Sequence, residues 1–346
     1  MANQNLESIQ RLRAIAVISV VCYHIWVLGY ADNLTVFRYG HWGVQSFFMI
    51  SGFIMMQKLP TYRNLVHFGR RRLQRLWPPL FVILLLSLPF AFLVAGNGNY
   101  EEITSWNYFS SFLMFNPMLL NGIFGTSLNY PFQILWTISV ELSFYFAISI
   151  IYFTLGRRNL HLMIGLLLIS VLSVSLFVGE SSLFSVRGFT LALGLFYFPY
   201  FLFGCAVWLI LNQIKFRFWQ IFLAVVAFLL AVVSAPQPQG ELHRVLTLTG
   251  IAILFCLMIM YGSTSNNLPA RTLEIIGDLS YEIYLVHGIL IFPALEFSPL
   301  PRLFFKADFV GGPVGAQAIF AFLSLALTLY VSRLINQYIL RSFNNS

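Results

Sequence analysis

The chain has 346 residues, of which 59% are hydrophobic and only 9% are charged. A soluble globular protein needs more polar surface than this, so the composition excludes that class and predicts an all-α polytopic membrane protein. The formal net charge of +8 fits basic cytoplasmic loops and does not require a nucleic-acid partner. The three cysteines lie in apolar runs and are odd in number, which indicates neither a disulfide framework nor a metal site.

About ten segments are apolar enough to cross a bilayer, which requires roughly 20 residues each. The stretch 106–128 carries several Asn and Gly residues, so we expect an external loop with an interfacial segment there. With a cytoplasmic N-terminus, 15 basic residues fall on the inner side and 5 on the outer side, so the positive-inside rule predicts that both termini are cytoplasmic. The chain is therefore predicted to form a single transmembrane domain, 1–346. The predicted spans are 10–30, 41–58, 76–96, 132–154, 160–178, 189–211, 218–235, 245–262, 277–297 and 313–334.

The first span contains two polar residues, Arg13 and His24, eleven positions apart. Eleven residues make about three helical turns and rise about 16 Å, so both side chains project from one face. Arg13 would lie near the cytoplasmic boundary and His24 well inside the membrane. A snorkelling arginine and a hydrogen-bonded core histidine would be a structural explanation, but ionisable residues inside a bilayer usually mark a functional pathway.

The second and third spans contribute small residues and a basic cluster. Gly43, Ser46, Ser51 and Gly52 are small residues that allow helices to approach closely. Four arginines then precede the third span. They either set topology by binding anionic lipid or clamp phosphates with bidentate geometry. These arginines are Arg70, Arg71, Arg72 and Arg75.

Two later spans also carry polar side chains. Glu141 lies in the middle of the fourth span, and Tyr145 follows one turn later on the same face. A lone carboxylate in lipid must be protonated, paired or turned toward a polar cavity, which favours a functional role. In the ninth span, Ser280, Tyr284 and His287 follow at i, i+4 and i+7, so they form one stripe of a helix.

Taken together, these motifs resemble the acyltransferase 3 family of integral membrane acyltransferases, which acylate carbohydrates and other hydroxyl-bearing acceptors. The resemblance runs from about residue 6 to 335. The family usually has an acidic residue where this chain has Gln45. Some members carry an extracytoplasmic hydrolase-like domain, whereas this chain resembles the stand-alone kind that acetylates exopolysaccharide or surface glycan. The motifs are Arg13-x10-His24, GVQSFFMISGF, Arg72-Leu-Gln-Arg75 with the following Trp-Pro, LWTISVELSFY and LSYEIYLVH.

The resemblance implies an acyl-CoA donor, most simply acetyl-CoA, and a polysaccharide or lipid-linked glycan acceptor at the bacterial cytoplasmic membrane. No metal is indicated. His24 is then the candidate general base, since an imidazole pKa near 6.5 suits proton removal near neutral pH. Glu141 would orient its ring, and an acyl-histidine intermediate is the alternative route. The CoA phosphates would meet Arg13, Arg70, Arg71, Arg72 and Arg75. The candidates for contact with the substrate or the oxyanion are Tyr145, Ser280, Tyr284 and His287.

Two other classes compete with an enzyme. A proton-coupled carrier could also use a buried His and Glu, but the paired broken helices of two related halves are not visible in the sequence. A passive scaffold for glycan assembly would tolerate loss of His24. Within the family, the acceptor could instead be peptidoglycan or an antibiotic, and the donor could carry a succinyl or longer group.

Overall fold

The computed structural model describes residues 2–94, 103–114, 116–155, 164–169, 194–212, 217–234, 241–261, 267–298 and 312–340. Every regular element in these ranges is helical, which confirms the predicted all-α class for them. The α-helices are α1 Ala2–Val27, α2 Trp42–Lys58, α3 Leu65–Val94, α4 Ser105–Ser111, α5 Pro117–Phe124, α6 Trp136–Leu155, α7 Phe198–Asn212, α8 Arg217–Ser234, α9 Glu241–Tyr261, α10 Leu268–Asp278, α11 Ser280–Val286, α12 Phe292–Phe297 and α13 Gly312–Ile335.

Four helical segments are long and apolar enough to cross a membrane: Glu7–Val27, Gln133–Leu155, Leu195–Asn212 and Val314–Ile339. The bent pair of α10 and α11 could provide a fifth, and α8 and α9 hold shorter apolar stretches. These helices indicate an integral membrane protein. The count of ten spans and the cytoplasmic termini stay predictions. Most of the predicted span 160–178 lies outside the described residues.

The stretch 106–128, expected to be an external loop with an interfacial segment, contains the two short helices α4 and α5. At seven and eight residues, neither is long enough to cross a bilayer. Exposed aromatic side chains, Trp106 and Phe109, lie on α4.

The chain falls into two compact units, each discontinuous in sequence. The first unit comprises Met1–Val44, Leu76–Thr104 and Leu257–Ser346, and the second comprises Gln45–Arg75 and Ser105–Cys256. Helices α2 and α3 each run from one unit into the other. The single transmembrane domain 1–346 stays a prediction.

In the first unit, α1 packs against α10, α11 and α13. The crossing of α1 and α10 is close, because a Cβ on Gly277 would lie 1.9 Å from the backbone oxygen of Gln10. An ion pair fixes the same crossing. The buried Arg11 donates from Nη2 and Nε to Oε1 of Glu274, at 2.7 and 2.9 Å. No spacing in the sequence indicates this ion pair, since the partner of Arg11 lies on a different helix.

In the second unit, α2 and α7 are in backbone contact. A Cβ on Gly52 would lie 1.9 Å from the oxygen of Phe201, and one on Gly204 would lie 1.9 Å from the oxygen of Met49. The glycines therefore face one another across the crossing, as the small residues of α2 predict. The ring of Phe201 stacks on that of Phe48, at 4.6 Å between centroids. At this crossing the two backbones are therefore in direct contact.

The helix that carries the LSYEIYLVH motif is irregular. Helices α10 and α11 meet at a bend of 62°, with Leu279 as the break between them. A π-helical turn then spans His287–Ile291 before α12 begins. Single π turns inside helices frequently occur at functional sites. The bend and the π turn therefore bracket the segment where the sequence placed three candidate residues.

Candidate active site

A pair of histidines lies inside the first unit. Nδ1 of His24, on α1, is 3.2 Å from Nε2 of His287, the first residue of the π turn. His287 is fully buried and His24 is half-buried. The ring of Phe292 lies against both histidines, with centroid distances of 6.3 Å to His24 and 5.4 Å to His287. The structure thus joins two candidates that the sequence placed in different spans.

Backbone oxygens fix the tautomer of each ring. Nδ1 of His24 is 3.0 Å from the oxygen of Val20, and Nδ1 of His287 is 3.1 Å from the oxygen of Ile283. A carbonyl oxygen only accepts, so each Nδ1 carries the proton when its ring is neutral. Nε2 of His287 then accepts from His24. The Nε2 lone pair of His24 is left without a hydrogen-bond partner among the described residues, which makes it the atom placed to receive a proton.

The polar stripe predicted in the ninth span exists and is buried. Ser280, Tyr284 and His287 are each less than a tenth exposed, and the ring of Tyr284 lies 5.4 Å from that of His287. Oγ of Ser280 has no hydrogen-bond partner among the described residues. The stripe therefore leads along α11 from the bend at Leu279 to the histidine pair.

Arg13 lies on the same helix as His24. Its guanidinium is largely buried, and Nη1 donates to Oε1 of Gln10 at 3.1 Å. The rise along α1 separates it from His24 by about 16 Å. The contact between Arg13 and CoA stays a prediction.

The second unit holds the other candidates as a separate cluster. Oε1 of Glu141 accepts a hydrogen bond from Oγ of Ser51 at 2.7 Å and another from the hydroxyl of Tyr145. The guanidinium of Arg72 lies over the ring of Tyr145, 5.2 Å from its centroid, and donates to the hydroxyl of Tyr62 at 3.0 Å. The carboxylate of Glu141 is thus hydrogen-bonded, as a buried charge requires. The guanidinium of Arg72 lies on the ring of Tyr145, which bonds to that carboxylate. The orienting role assigned to Glu141 stays a prediction, and the observed partner of His24 at Nδ1 is His287.

The four clustered arginines are not equivalent. Arg72 is buried among aromatic rings, while Arg70, Arg71 and Arg75 are exposed. Gln45, the residue that departs from the family pattern, is buried, and its Oε1 has no hydrogen-bond partner among the described residues.

Apolar helices long enough to cross a bilayer indicate an integral membrane protein. The first unit contains a histidine pair and the second a hydrogen-bonded carboxylate, and ionisable groups inside membrane proteins usually mark functional sites. Residues 6–333 match the model of the acyltransferase domain family Acyl_transf_3. The chain therefore belongs to the acyltransferase 3 family, and the predicted resemblance is confirmed.

Individual relatives carry acetyltransferase names. The chain is 26% identical over 321 residues to "Putative acetyltransferase ORF330" of Acidianus two-tailed virus, covering 85% of this chain and 90% of the relative. It is 26% identical over 322 residues to "Putative peptidoglycan O-acetyltransferase YrhL" of Bacillus subtilis (strain 168), covering 82% and 48%. It is 29% identical over 151 residues to peptidoglycan O-acetyltransferase OatA of Listeria monocytogenes serovar 1/2a, covering 40% and 23%.

The chain spans less than half the length of these two bacterial relatives. No solved structure shows significant similarity to it. The family and these relatives confirm the predicted enzyme class, an O-acetyltransferase. The predicted donor, acceptor and general base are not tested by them.

Proposed function

We propose that the protein transfers an acetyl group from acetyl-CoA to a hydroxyl of a surface or secreted polysaccharide, or of its lipid-linked precursor, at the bacterial cytoplasmic membrane. The observation that carries the proposal is the lone pair on Nε2 of His24, held inside an apolar unit by a defined tautomer. A carbohydrate acceptor is supported by the names of the bacterial relatives, which also make peptidoglycan a second candidate acceptor.

The proposed reaction is a direct transfer with His24 as general base. Nε2 of His24 takes the proton of the acceptor hydroxyl while the hydroxyl oxygen forms a bond to the thioester carbon. The tetrahedral intermediate collapses, the carbon–sulfur bond breaks, and the imidazolium returns the proton to the leaving CoA sulfur. The products are the acetyl ester and CoA. His287 accepts from Nδ1 of His24 throughout, so it stabilises the imidazolium and keeps the ring in place.

The remaining predicted residues support this chemistry in the proposal. Ser280 and Tyr284 are hydroxyl donors for the substrate or the oxyanion. Tyr145 donates its one hydroxyl proton to Glu141, so in the proposal its oxygen contacts the substrate as an acceptor. The exposed Arg70, Arg71 and Arg75 attract the polyanionic donor to the membrane surface. Arg13, on the helix of His24, and Arg72, over Tyr145, are proposed as further positive charges for its phosphates.

Acetyl-CoA turnover tests the proposed donor. Protein purified in nanodiscs should hydrolyse or transfer the radiolabelled acetyl group of acetyl-CoA, and transfer should require a polysaccharide or muropeptide acceptor. Succinyl-CoA and longer acyl-CoA thioesters serve as comparison donors. Transfer from a longer thioester alone would correct the acyl group. Absence of binding to every acyl-CoA would contradict the enzyme mechanism and favour the carrier.

Replacing His287 by alanine should lower kcat by about 10- to 100-fold, because a supporting hydrogen bond that orients a functional histidine typically contributes that much. The Michaelis constant for acetyl-CoA should change little. His287→Gln retains an oxygen able to accept from Nδ1 and should recover part of the activity. Equal activity of His287→Ala and the parent would show that His287 does not position His24. The measurement is steady-state acetyl transfer, with unfolding temperature as the folding control.

A further inference from the structure

A carboxylate of the first unit, beyond the π turn, lies without the partners that such a group usually has. Glu296 is on α12 and is half-buried. Its Oε2 atom is buried and has no hydrogen-bond partner among the described residues, and Glu296 forms no ion pair with any of them. A buried carboxylate oxygen in this state is costly unless a donor from elsewhere satisfies it. The proposed direct transfer does not use this residue.

Helix α12 places Glu296 close to the histidine pair. Phe292, whose ring lies 6.3 Å from that of His24 and 5.4 Å from that of His287, comes four residues before Glu296. Residues four apart share a helix face, with about 5 to 6 Å between their Cβ atoms. The carboxylate of Glu296 therefore lies on the order of 10 Å from the two imidazoles. A disaccharide spans such a distance.

The residues that follow α1 supply the neighbours of this carboxylate. The hydroxyl of Tyr30 interacts electrostatically with the carboxylate of Glu296. The ring of Tyr30 lies 4.9 Å from that of Phe320, on α13. One turn earlier on α13, Oε1 of Gln317 accepts a hydrogen bond from the backbone nitrogen of Asn33 at 2.9 Å. Three parts of the first unit, α12, α13 and the segment after α1, therefore meet at Tyr30 beside Glu296.

The side chains at this end of the unit match the hydrogen bonding of a carbohydrate. The carboxylate of Glu296 only accepts, so it selects hydroxyl or amide N–H groups of a ligand. The Nε2 group of Gln317 makes no hydrogen bond to the described residues and is a donor for a sugar oxygen. Glu296 and Tyr30 are both partly exposed. Rotation about the terminal torsion of Glu296 exchanges its two oxygens, so a ligand can reach either of them.

We propose that Glu296 binds the acceptor glycan beside the hydroxyl that is acylated, with Gln317 and the ring of Tyr30 completing the subsite. The reacting hydroxyl lies at Nε2 of His24, and a second hydroxyl or amide N–H group of the same glycan donates to the carboxylate of Glu296. The ligand is a neutral oligosaccharide with free hydroxyl or N-acetyl groups. This inference rests on the proposed function, because it takes a carbohydrate as the acceptor.

The test is the binding of two oligosaccharides, chitotetraose and maltotetraose, to the full chain in nanodiscs, measured by calorimetry. Glu296→Gln should raise the Kd of an oligosaccharide that the parent binds by about tenfold or more, since it removes a charge-assisted hydrogen bond. The unfolding temperature should stay at the parent value or rise, because the substitution removes a buried charge. Asp32→Asn is the matched control, because Asp32 is an exposed carboxylate of the segment after α1, and it should leave the Kd unchanged.

Steady-state transfer gives a second readout on the same preparation. In Glu296→Gln the Michaelis constant for the oligosaccharide should rise about tenfold, whereas kcat at saturating acceptor should stay near the parent value, the pattern expected when a binding contact is lost. Hydrolysis of acetyl-CoA without an acceptor should also be unchanged. A residue with only a structural role would change hydrolysis and transfer together.

Three results would overturn the inference. An unchanged Kd in Glu296→Gln would mean that the acceptor binds elsewhere, and it would leave the proposed acetyl transfer intact. A lower kcat with an unchanged Kd would make Glu296 part of proton transfer and not of acceptor binding. A parent that hydrolyses acetyl-CoA but binds neither oligosaccharide would show that the acceptor is not a carbohydrate of this class. Failure of the parent to use any acyl-CoA would contradict the proposed function, and oligosaccharide binding would still decide the role of Glu296.

Discussion

Replacing His24 by alanine should lower kcat for acetyl transfer by about 10²- to 10⁴-fold, the contribution typical of a general base. The variant removes Nε2, the nitrogen left without a hydrogen-bond partner among the described residues. The Kd for acetyl-CoA should stay within a few-fold of the parent value, because the imidazole meets the reacting end of the donor and not its nucleotide. Loss of kcat without loss of binding is the pattern expected for a group that acts in the transition state.

The matched control is His67→Ala. His67 is near the start of α3, where the backbone nitrogen of Arg63 donates to its Nδ1 and its own nitrogen donates to Asn64. This variant should retain parental kcat. If His24→Ala also retained it, His24 would not be the base, and another ionisable candidate, His287 or Glu141, would have to accept the proton. Acetyl-CoA turnover and binding, measured on the same nanodisc preparation, decide between these outcomes.

The same preparation separates direct transfer from an acyl-histidine route. When the parent is mixed with radiolabelled acetyl-CoA and no acceptor, direct transfer leaves the protein unlabelled. A covalent route leaves label on His24, released by hydroxylamine. The position of His24 serves both routes, so only this measurement distinguishes them.

Substitution of Gly52 should have the largest effect on folding. The added Cβ of Gly52→Ala would lie 1.9 Å from the oxygen of Phe201, so α2 and α7 would have to separate by more than 1 Å. Overpacking of this kind costs about 1 to 3 kcal/mol or more, and here the opposing atom is backbone that cannot rotate away. Gly204 meets Met49 in the same way from the other helix. We expect Gly52→Val to yield no monodisperse protein.

The matched control for this experiment is Gly69→Ala. Gly69 lies inside α3, and a Cβ there would meet no atom within 4 Å. The change should be neutral or raise stability by about 0.5 to 1 kcal/mol, because alanine has the higher helix propensity. Size-exclusion profiles and unfolding temperatures in detergent provide the measurement. Equal unfolding temperatures for Gly52→Ala and Gly69→Ala would show that α2 and α7 are not in backbone contact.

The apolar helices could be predicted from the sequence because each depends only on a continuous run of apolar residues. A run of apolar residues long enough to cross a bilayer must be helical to satisfy its own backbone. Helix α10 was not predicted, since its charged residues Arg271 and Glu274 interrupt the apolar pattern, although Asn267 caps its start. The π turn at His287–Ile291 also has no local signature. Its position depends on how α11 and α12 pack, and no local sequence pattern indicates that packing.

The candidate site divides in the same way between local and distant contacts. The bond between Tyr145 and Glu141 could be predicted because residues four apart share a helix face. The contacts of Glu141 with Ser51 and of His24 with His287 join different helices, and no spacing in the sequence reveals them. Helical periodicity also indicates that Arg72 differs in direction from Arg71. It does not reveal which of the two directions is buried.

The histidine pair also imposes an order on biosynthesis. His24 and His287 are separated by 263 residues, so at synthesis rates of about 5 to 20 residues per second the second histidine emerges roughly 13 to 53 seconds after the first. Arg11 and Glu274 are also 263 residues apart, so their ion pair forms only after the same delay. Throughout that interval α1 carries ionisable side chains without their final partners. The contacts of α1 are therefore completed only after Glu274 and His287 have been synthesised. Until then, the membrane insertion machinery has to shield α1 from lipid.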